Sequence, residues 1–180
     1  KIKDTVQKGV ENISSKIMEQ TSLYQFSSDI IKELKQTTNA SSVVFYVLNE
    51  LSSNYEPLVS LDIEKKLLKP VSILDMTSKL GKTFNTGKVL YQTNYSENSI
   101  FNLKELSDSN IPKELITAPI KVENIVVAFI VLINNKSFST EDYQIIKQSL
   151  LNINTSYSSL ISNLRVGILA ENVLKANDAL

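Results

Sequence analysis

The sequence predicts an α+β sandwich: an antiparallel sheet of about five or six strands, with long N- and C-terminal helices on one face and short helices and loops on the other. The main observation is the stretch from Leu115 to Asp142. It holds two β-branched apolar runs, LITAPIKV and IVVAFIVLI, separated by the polar pair Glu123 and Asn124, as in a hairpin. Because both faces of the second run are apolar, it is typical of a central strand that is covered on both sides.

The N-terminal stretch is the second observation, because from Lys1 to about Thr38 it has no proline and only Gly9, so that one long helix is expected. A stripe with alternating steps of three and four runs along it through Val6, Val10, Ile13, Ile17, Gln20, Tyr24, Ser27, Ile31 and Leu34. Two interpretations stay open, a helix packed on its own sheet and a helix between two subunits. The first half favours the subunit interface, and the second half favours the domain.

The middle of the chain alternates short strands with polar loops. The runs SVVFYVLN (42–49) and LVSLDI (58–63) predict an antiparallel hairpin. The short apolar segment VSIL (71–74) precedes a short helix, TSKLGKTFNTG (77–87), which Asp75 or Thr77 can cap and Gly87 can end. A brief strand is expected in KVLYQTNY (88–95), and a second short helix near residues 100–106.

The C-terminal stretch is compatible with one helix from Thr140 almost to Leu180. Ser139 or Thr140 can cap it, and Glu141 and Asp142 lie at its positive end. Its apolar stripe runs through Ile146, Leu150, Ile153, Tyr157, Leu160 and Leu164, and beyond Gly167 it shifts to Leu169, Val173, Ala176 and Leu180. This shift predicts that the helix leaves its own domain and faces something else.

Composition removes several kinds of chemistry. The 180 residues include no cysteine and no histidine, which excludes disulfides, thiol nucleophiles, Cys or His metal sites, histidine bases and histidine-ligated haem. The acidic residues are scattered, so no metal site is predicted. No arrangement of a nucleophile with its base is visible, and we therefore expect a protein that is not an enzyme.

Charge and hydropathy indicate which partners to expect. The 19 basic and 19 acidic residues balance, and no basic run occurs, so no nucleic-acid partner is predicted. No apolar stretch reaches the length of a membrane span, which predicts no membrane contact by this stretch and a cytoplasmic location. The chain begins without methionine, which favours a piece of a longer protein.

The order of these elements resembles that of a GAF domain, the small-molecule-sensing module of many signalling proteins. The segment TSKLGKTFNTGKVLYQTN resembles the family's short helix, turn and strand, with the pattern Gly81, Thr86, Gly87, Lys88 and Val89. ITAPI with Pro119, the run IVVAFIVLIN and Phe138 with Glu141 and Asp142 resemble its last two strands and final helix, although Ala128 stands where the family often has glycine. The resemblance covers about residues 23–165.

The resemblance implies a division and a function. Residues 1–21 would be an N-terminal helical extension, 22–165 the GAF-like domain and 166–180 a C-terminal signalling or linker helix. The implied function is a sensory or regulatory domain that binds a small ligand and acts on an output domain of the same parent chain. The alternative is a ligand-free dimerisation or interaction module. Because the terminal stripes extend beyond what one sheet needs, we expect a parallel homodimer joined through these helices, in which Ile13→Asp with Ile17→Asp gives a folded monomer.

The resemblance also implies which cofactors to expect. Bilin-binding and methionine sulfoxide-reducing members of the family need cysteine and haem-binding members use histidine, so neither bilin nor haem is expected here. Asn135, Lys136, Phe138, Glu141 and Asp142 are similar to the set that binds cyclic nucleotides in other members. Their spacing is compressed and the acids are in the opposite order, so we expect a surface turn and a helix cap instead.

Family ligands lie on one face of the sheet, under short helices and loops that correspond to residues 75–105. The apolar residues expected to line such a pocket are Phe45, Leu61, Ile73, Leu80, Phe84, Tyr91, Phe101, Ile116 and Phe129, with Tyr95, Asn102 and Thr117 as polar anchors. Mostly apolar walls with a few polar groups suit a small ligand. In the alternative interpretation, the same side chains close the core with nothing inside.

Overall fold

The structure is a computed structural model that describes residues 2–17, 22–75, 78–93, 100–107 and 111–178. Its strands are β1 (Ser42–Asn49), β2 (Asn54–Leu61), β3 (Val71–Ser72), β4 (Leu90–Gln92), β5 (Glu114–Val122) and β6 (Ile125–Asn134). Its α-helices are α1 (Ile2–Ile17), α2 (Leu23–Thr37), α3 (Lys79–Thr86) and α4 (Thr140–Asp178), and short 3₁₀ turns occur at Lys65–Leu67 and Leu103–Glu105.

The described strands form one antiparallel sheet in the order β3-β2-β1-β6-β5-β4, which confirms the predicted α+β sandwich. The apolar run β6 lies between β1 and β5, as expected of a strand that is covered on both faces. Glu123 and Asn124 form the β5–β6 turn with φ of 52° and 66°, a conformation that asparagine tolerates better than most residues. The second short helix is only the 3₁₀ turn Leu103–Glu105, and VSIL supplies only the two residues of β3.

Helices α2 and α4 cover one face of the sheet, which we call the helix face. Side chains in a strand alternate between faces, and Val43 and Phe45 of β1 point to this side. The ring of Phe45 lies edge-on to Phe26 of α2, with centroids 6.5 Å apart, and 6.2 Å from the ring of Tyr157 in α4. These rings join both helices to the sheet.

The predicted C-terminal helix is confirmed as one continuous helix, α4. On its predicted stripe, Ile146, Ile153, Tyr157 and Leu160 are buried, Leu150 is half-buried and Leu164 is 38% exposed. Farther on, Val173 and Leu174 are exposed, whereas Leu180 is outside the described residues and the side chains of Leu169 and its neighbours are not described. Among the helices that the structure describes, none combines the length and apolar character that crossing a bilayer requires.

The expected single N-terminal helix is wrong: α1 ends at Ile17, and α2 begins at Leu23 with Ser22 as its N-cap. The two helices run antiparallel, because Gly9 in the middle of α1 lies against Thr37 at the end of α2. A Cβ on Gly9 would come within 2.8 Å of Thr37 Cγ2 and 3.1 Å of Ile145 Cδ1. Glycine therefore lets α1 cross α2 and α4 closely, and a larger residue at this position would push the Thr37 or Ile145 side chain aside.

The interpretation of the first half of the stripe as a subunit interface is corrected by the same packing. Val6 and Ile13 are buried in the core of their own chain, together with residues of α2 and α4. Asn152 of α4 also donates a hydrogen bond to Ser14 Oγ at 2.8 Å. These α1 side chains thus find their apolar partners within the chain. On the second half of the stripe, Tyr24 is 62% exposed, whereas the polar residue Ser27 is fully buried.

Asp142 joins the end of α2 to the start of α4. Its carboxylate, only 3% exposed, accepts hydrogen bonds from Asn39 N at 3.2 Å, Asn39 Nδ2 at 3.1 Å and Ser139 N at 2.9 Å. Ser139 Oγ in turn accepts from Asp142 N at 3.1 Å, which completes a reciprocal helix cap. The expected cap at the start of α4 is therefore present, and it also anchors the α2–β1 connection.

We predict that Asp142→Ala lowers the free energy of unfolding by about 2–4 kcal/mol, because it removes charged hydrogen bonds and leaves buried donors without an acceptor. Asp142→Asn keeps one acceptor oxygen and should lose less. The matched control is Glu141→Ala, which removes a neighbouring carboxylate for which no such bond is described and should change stability by about 0.5 kcal/mol or less. Urea denaturation measures all three, and equal effects at both positions would contradict the anchoring role.

Candidate functional site

The second face of the sheet, which we call the α3 face, is covered by α3 and the connections around it. Helix α3 begins at Lys79 and its N-cap is Ser78, whose Oγ accepts from Gly81 N at 2.9 Å, so neither of the expected caps, Asp75 and Thr77, is the N-cap. Asp75 supports the cap indirectly, because its carboxylate accepts from Ser78 Oγ at 2.8 Å. Gly87 ends α3 in the left-handed conformation (φ 63°), as expected.

Four aromatic rings form the centre of the α3 face. Phe129 of β6 stacks on Tyr46 of β1 with centroids 4.6 Å apart, and it lies 5.2 Å from both Tyr55 and Phe84. Phe84 reaches this cluster from α3 and lies 4.5 Å from Tyr55. Phe84 is the aromatic side chain that α3 contributes to the cluster, and it is half-buried, so it lies at the outer side of the four rings.

The tyrosine hydroxyls of this cluster are bound by main-chain oxygens. Tyr46 Oη donates to Lys69 O at 3.0 Å, and Tyr55 Oη donates to Val126 O at 2.7 Å. Burial raises the pKa of Tyr46 and raises that of Tyr55 to about 12, because the ionised phenolate is poorly solvated there. Both side chains are therefore neutral structural donors at ordinary pH.

The structure brings many of the predicted site residues together on the α3 face. These are Ile73, Leu80, Phe84, Phe101, Phe129 and Thr117, the last being paired with Val131 of the same face. Asn102 lies nearby, and its backbone N–H donates to Leu67 O at 2.8 Å. Tyr95 is outside the described residues.

Three residues of the predicted pocket lie on the wrong face. Phe45, Leu61 and Ile116 belong to the core under α2 and α4, on the opposite side of the sheet from α3. The physical reason is the two-residue period of a strand, which turns Phe45 away from its neighbour Tyr46. Tyr91 is paired with Ile116 at the sheet edge and is 44% exposed.

Sequence reasoning missed Tyr46 and Tyr55, which are central to the aromatic cluster. The signal was available for Tyr46, because the alternation in SVVFYVLN places it opposite Phe45. Tyr55 falls in the polar stretch before the predicted strand LVSLDI (58–63), whereas β2 begins at Asn54. Its register with β1, Leu48 opposite Tyr55, places it on the α3 face.

The described side chains of the α3 face are closely packed. Phe101 and Phe129 are fully buried, and Leu80 is 4% exposed. Among the described residues, open volume is found in a groove of about 530 Å³ between α1 and α4 and in another of about 460 Å³ beside the β1–β2 turn. A ligand that entered the described aromatic cluster would have to displace one of its side chains.

The turn after β6 fits the expected surface turn. The side chains of Asn135 and Lys136 are exposed. The backbone N–H of Asn135 donates to Ser41 Oγ at 3.1 Å, and that of Lys136 donates to Asn134 Oδ1 at 2.8 Å. Phe138 N donates to Glu114 Oε2 at 2.6 Å. Among the described residues, no group of three or more acidic, histidine or cysteine side chains is arranged to hold a metal ion.

Comparisons with known proteins were made on the sequence and on the structure. A scan of protein-family models and a search of curated proteins both find no match to the sequence. The fold is similar to the GAF domain of a phosphoenolpyruvate-protein phosphotransferase from Coxiella burnetii, with a TM-score of 0.70, 8% identity and coverage of 89% of this chain and 96% of that one. It is also similar to the nlh2 GAF domain of A. aeolicus, with a TM-score of 0.61, 21% identity and coverage of 92% and 99%.

The expectation that neither bilin nor haem is bound needs correction. One similar structure is the far-red absorbing dark state of JSC1_58120g3 with bound biliverdin IXa, at a TM-score of 0.59, 14% identity and coverage of 84% of this chain and 98% of that one. A fold of this kind therefore does accommodate a tetrapyrrole in a neighbour. The missing cysteine excludes attachment of a bilin through a thioether, but it does not exclude a bound cofactor as such.

The predicted resemblance is confirmed at the level of the fold. The sheet order, the helices on one face, the short helix on the other and the long final helix all match solved domains of one kind over most of their length. The described part of this chain therefore has the fold of a GAF domain.

Proposed function

We propose that this domain is a sensory or regulatory module of a larger signalling protein. A small ligand would bind between the sheet and α3, and α4 would carry the change to an output domain. The observation that carries the proposal is Phe84, a half-buried ring through which α3, a helix of only eight residues, closes an otherwise buried aromatic cluster. Helix α3 rests on the sheet through few side chains, chiefly Phe84 and the buried Leu80, and a short element of this kind is among those that a ligand can move.

In the proposed ligand-free state, Phe84 occupies the space against Tyr55 and Phe129. A flat apolar ligand would replace these ring contacts and release α3, with Thr117 and Asn102 as polar groups that fix its orientation. Such a ligand shifts the balance between two arrangements of α3 by its difference in affinity for them. The proposed site residues are Ile73, Leu80, Phe84, Phe101, Asn102, Thr117 and Phe129.

Output through α4 is proposed because the helix contacts the sheet and then continues to Asp178 with exposed side chains from Val173 to Asn177. In this proposal, residues 22–165 form the sensing domain and 166–180 the linker to the output domain. Helix α1 belongs to the packed unit, since its Val6 and Ile13 are buried in the same core as α2 and α4. Similar solved domains belong to larger proteins, among them a GAF domain/HD domain protein from Geobacter sulfurreducens.

A thermal-shift screen of nucleotides, tetrapyrroles and metabolites tests the proposal. A ligand at about a hundred times its Kd adds about 2.7 kcal/mol, which raises Tm by roughly 5–10 °C in a domain of this size. Phe84→Ala removes the ring that such a ligand must displace, so it should enlarge this shift while the domain stays folded. The control is Leu151→Ala on α4, an exposed leucine remote from α3, which should leave it unchanged. A screen in which no compound moves Tm would count against a sensor.

The second candidate is a module that joins two copies of the parent chain without a ligand. It is favoured by the exposed apolar pair Val173 and Leu174 on α4, at 59% and 64% exposure, and by the close packing under α3. Light scattering at tens of micromolar measures the mass of the unmodified chain and of Val173→Asp with Leu174→Asp. A dimer that becomes a monomer on this change supports it, and a monomer in both cases rejects it.

A further inference from the structure

Lys121 lies in β5, the strand that α3 contacts on one face of the sheet and α4 contacts on the other. It follows Ile120 in β5, and the register between β5 and β6 shifts between these two residues. Ile120 is fully buried on the helix face, whereas Lys121 is half-buried. An irregularity of this kind redirects a side chain and takes an amide out of the regular ladder.

The side chain of Lys121 lies over the end of α3. A Cβ built on Gly87 would overlap both Cε and Nζ of Lys121, so the lysine occupies the place that a side chain at position 87 would take. Gly87 N donates to Thr83 O at 2.8 Å and closes the last turn of α3. The carbonyl end of a helix carries partial negative charge, so an ammonium group at this place stabilises α3.

The main chain of Lys121 is bound by α4. Its amide donates to Asn154 Oδ1 at 3.4 Å, and Asn154 is a half-buried side chain in the part of α4 that packs on the sheet. One residue therefore contacts the end of α3 with its ammonium group and the middle of α4 with its amide. The first is the close approach of a charged group to a helix end and the second is a hydrogen bond, whereas apolar packing joins the sheet to its helices.

We propose that Lys121 is a positioning residue that couples the movement of α3 to α4. When α3 shifts, the ammonium group loses its place at the helix end, and Lys121 moves together with the β5 irregularity. That movement strains or breaks the bond to Asn154 and loosens α4 locally. The regulatory meaning of this coupling rests on the proposed function, but the coupling itself exists without any ligand and is measured without one.

Amide hydrogen exchange of the unliganded chain tests the coupling. Ser78→Ala removes the N-cap of α3 without touching Lys121, and loss of such a cap speeds opening of a helix by about fivefold. We expect exchange in α3 to rise by about that factor and exchange in α4 around Asn154 to rise by about two- to fivefold, the range of one cation at a helix end. Circular dichroism shows whether the Ser78→Ala variant is folded. If that variant does not fold, Asp75→Ala is used instead, because it removes the carboxylate that supports the Ser78 cap.

The same Ser78→Ala change is then made in Lys121→Met and in Asn154→Leu. In both backgrounds α3 should still respond, and α4 should not. Lys88→Met is the matched control, because it removes an exposed lysine next to Gly87 and should leave the response of α4 intact. An α4 that never responds to Ser78→Ala, or that responds equally in Lys121→Met, overturns the proposal. If no compound binds in the thermal-shift screen but α4 responds to Ser78→Ala through Lys121, the sensor function is rejected and the coupling between α3 and α4 is retained.

Discussion

Raising the pH from about 9 to about 12 is expected to remove a large part of the protein's stability, because three buried tyrosines hold their protons more tightly in the folded chain than in the unfolded one. Burial raises the pKa of Tyr55 and of Tyr157 to about 12 and raises that of Tyr46 as well. In the unfolded chain these groups titrate near about pH 10. Their stabilisation is therefore complete below about pH 10 and is lost as the pH rises through about 12.

The expected size of this effect is a large part of the total stability. A rise of two pKa units corresponds to about 2.7 kcal/mol. Tyr157 contributes about this amount, because it is only 2% exposed and solvent screens its charge little. Tyr55 contributes less, roughly 1–2 kcal/mol, since its ring lies against the half-buried Phe84, where solvent screens charge more strongly. A domain has about 5–15 kcal/mol in all, so these two losses together bring it close to unfolding.

Urea denaturation at a series of pH values measures the slope directly. Tyr55→Phe should lower stability near neutral pH by about 1 kcal/mol, because the bond to Val126 O is lost. Above about pH 10 the same variant should lose stability less steeply than the unmodified chain, because phenylalanine has no hydroxyl proton to release at position 55. Tyr24→Phe, at a position that is 62% exposed, is the control. Parallel slopes for all three proteins would show that buried tyrosines do not set the alkaline limit.

The strands and helix ends were predictable where local chemistry decides them. The apolar run of β6 needs cover on both faces, and only a central strand has it. Gly87 ends α3 because it adopts a left-handed conformation without steric cost. Asp142 was recognised as part of a helix cap, although its reach to Asn39, 103 residues away, depends on tertiary structure.

The site was only partly predictable, because the list of pocket residues took apolar residues from both faces of the sheet. Phe45 and Tyr46 are neighbours in sequence, yet each belongs to a different core. Applying the strand period strictly would have placed them correctly, but Tyr55 and its face depend on where β2 begins. The close packing under α3 is a property of side chains from five strands and α3 itself, which no local pattern contains.

The packing of α1 against α2 and α4 of its own chain could not be predicted from the stripe. A helical stripe says only that one side of the helix is buried, and it is satisfied equally by a second subunit and by the same chain. No proline occurs between Ile17 and Leu23 to suggest an end. The glycine at position 9 was the available clue, since it marks a close crossing of α1 with α2 and α4.

Ile13→Asp should therefore destabilise the chain itself, instead of giving the folded monomer expected from a subunit interface. Ile13 is fully buried in the core shared by α1, α2 and α4. Shortening a buried isoleucine costs about 2–5 kcal/mol, and an unpaired carboxylate in the same place costs several more. Because that sum is comparable with the total stability of about 5–15 kcal/mol that a domain has, we expect α1 to be released or the whole domain to unfold.

Ile2→Asp is the matched control, because it places the same charge on α1 at a position that is 62% exposed and should change stability by about 0.5 kcal/mol or less. Hydrogen exchange distinguishes the two outcomes for Ile13→Asp: release of α1 removes protection from α1 alone, and unfolding removes it from β6 as well. Light scattering on the same samples reports the mass. An Ile13→Asp chain that keeps its protection in α1 and changes only from dimer to monomer would restore the subunit interface and refute the docking of α1 on its own domain.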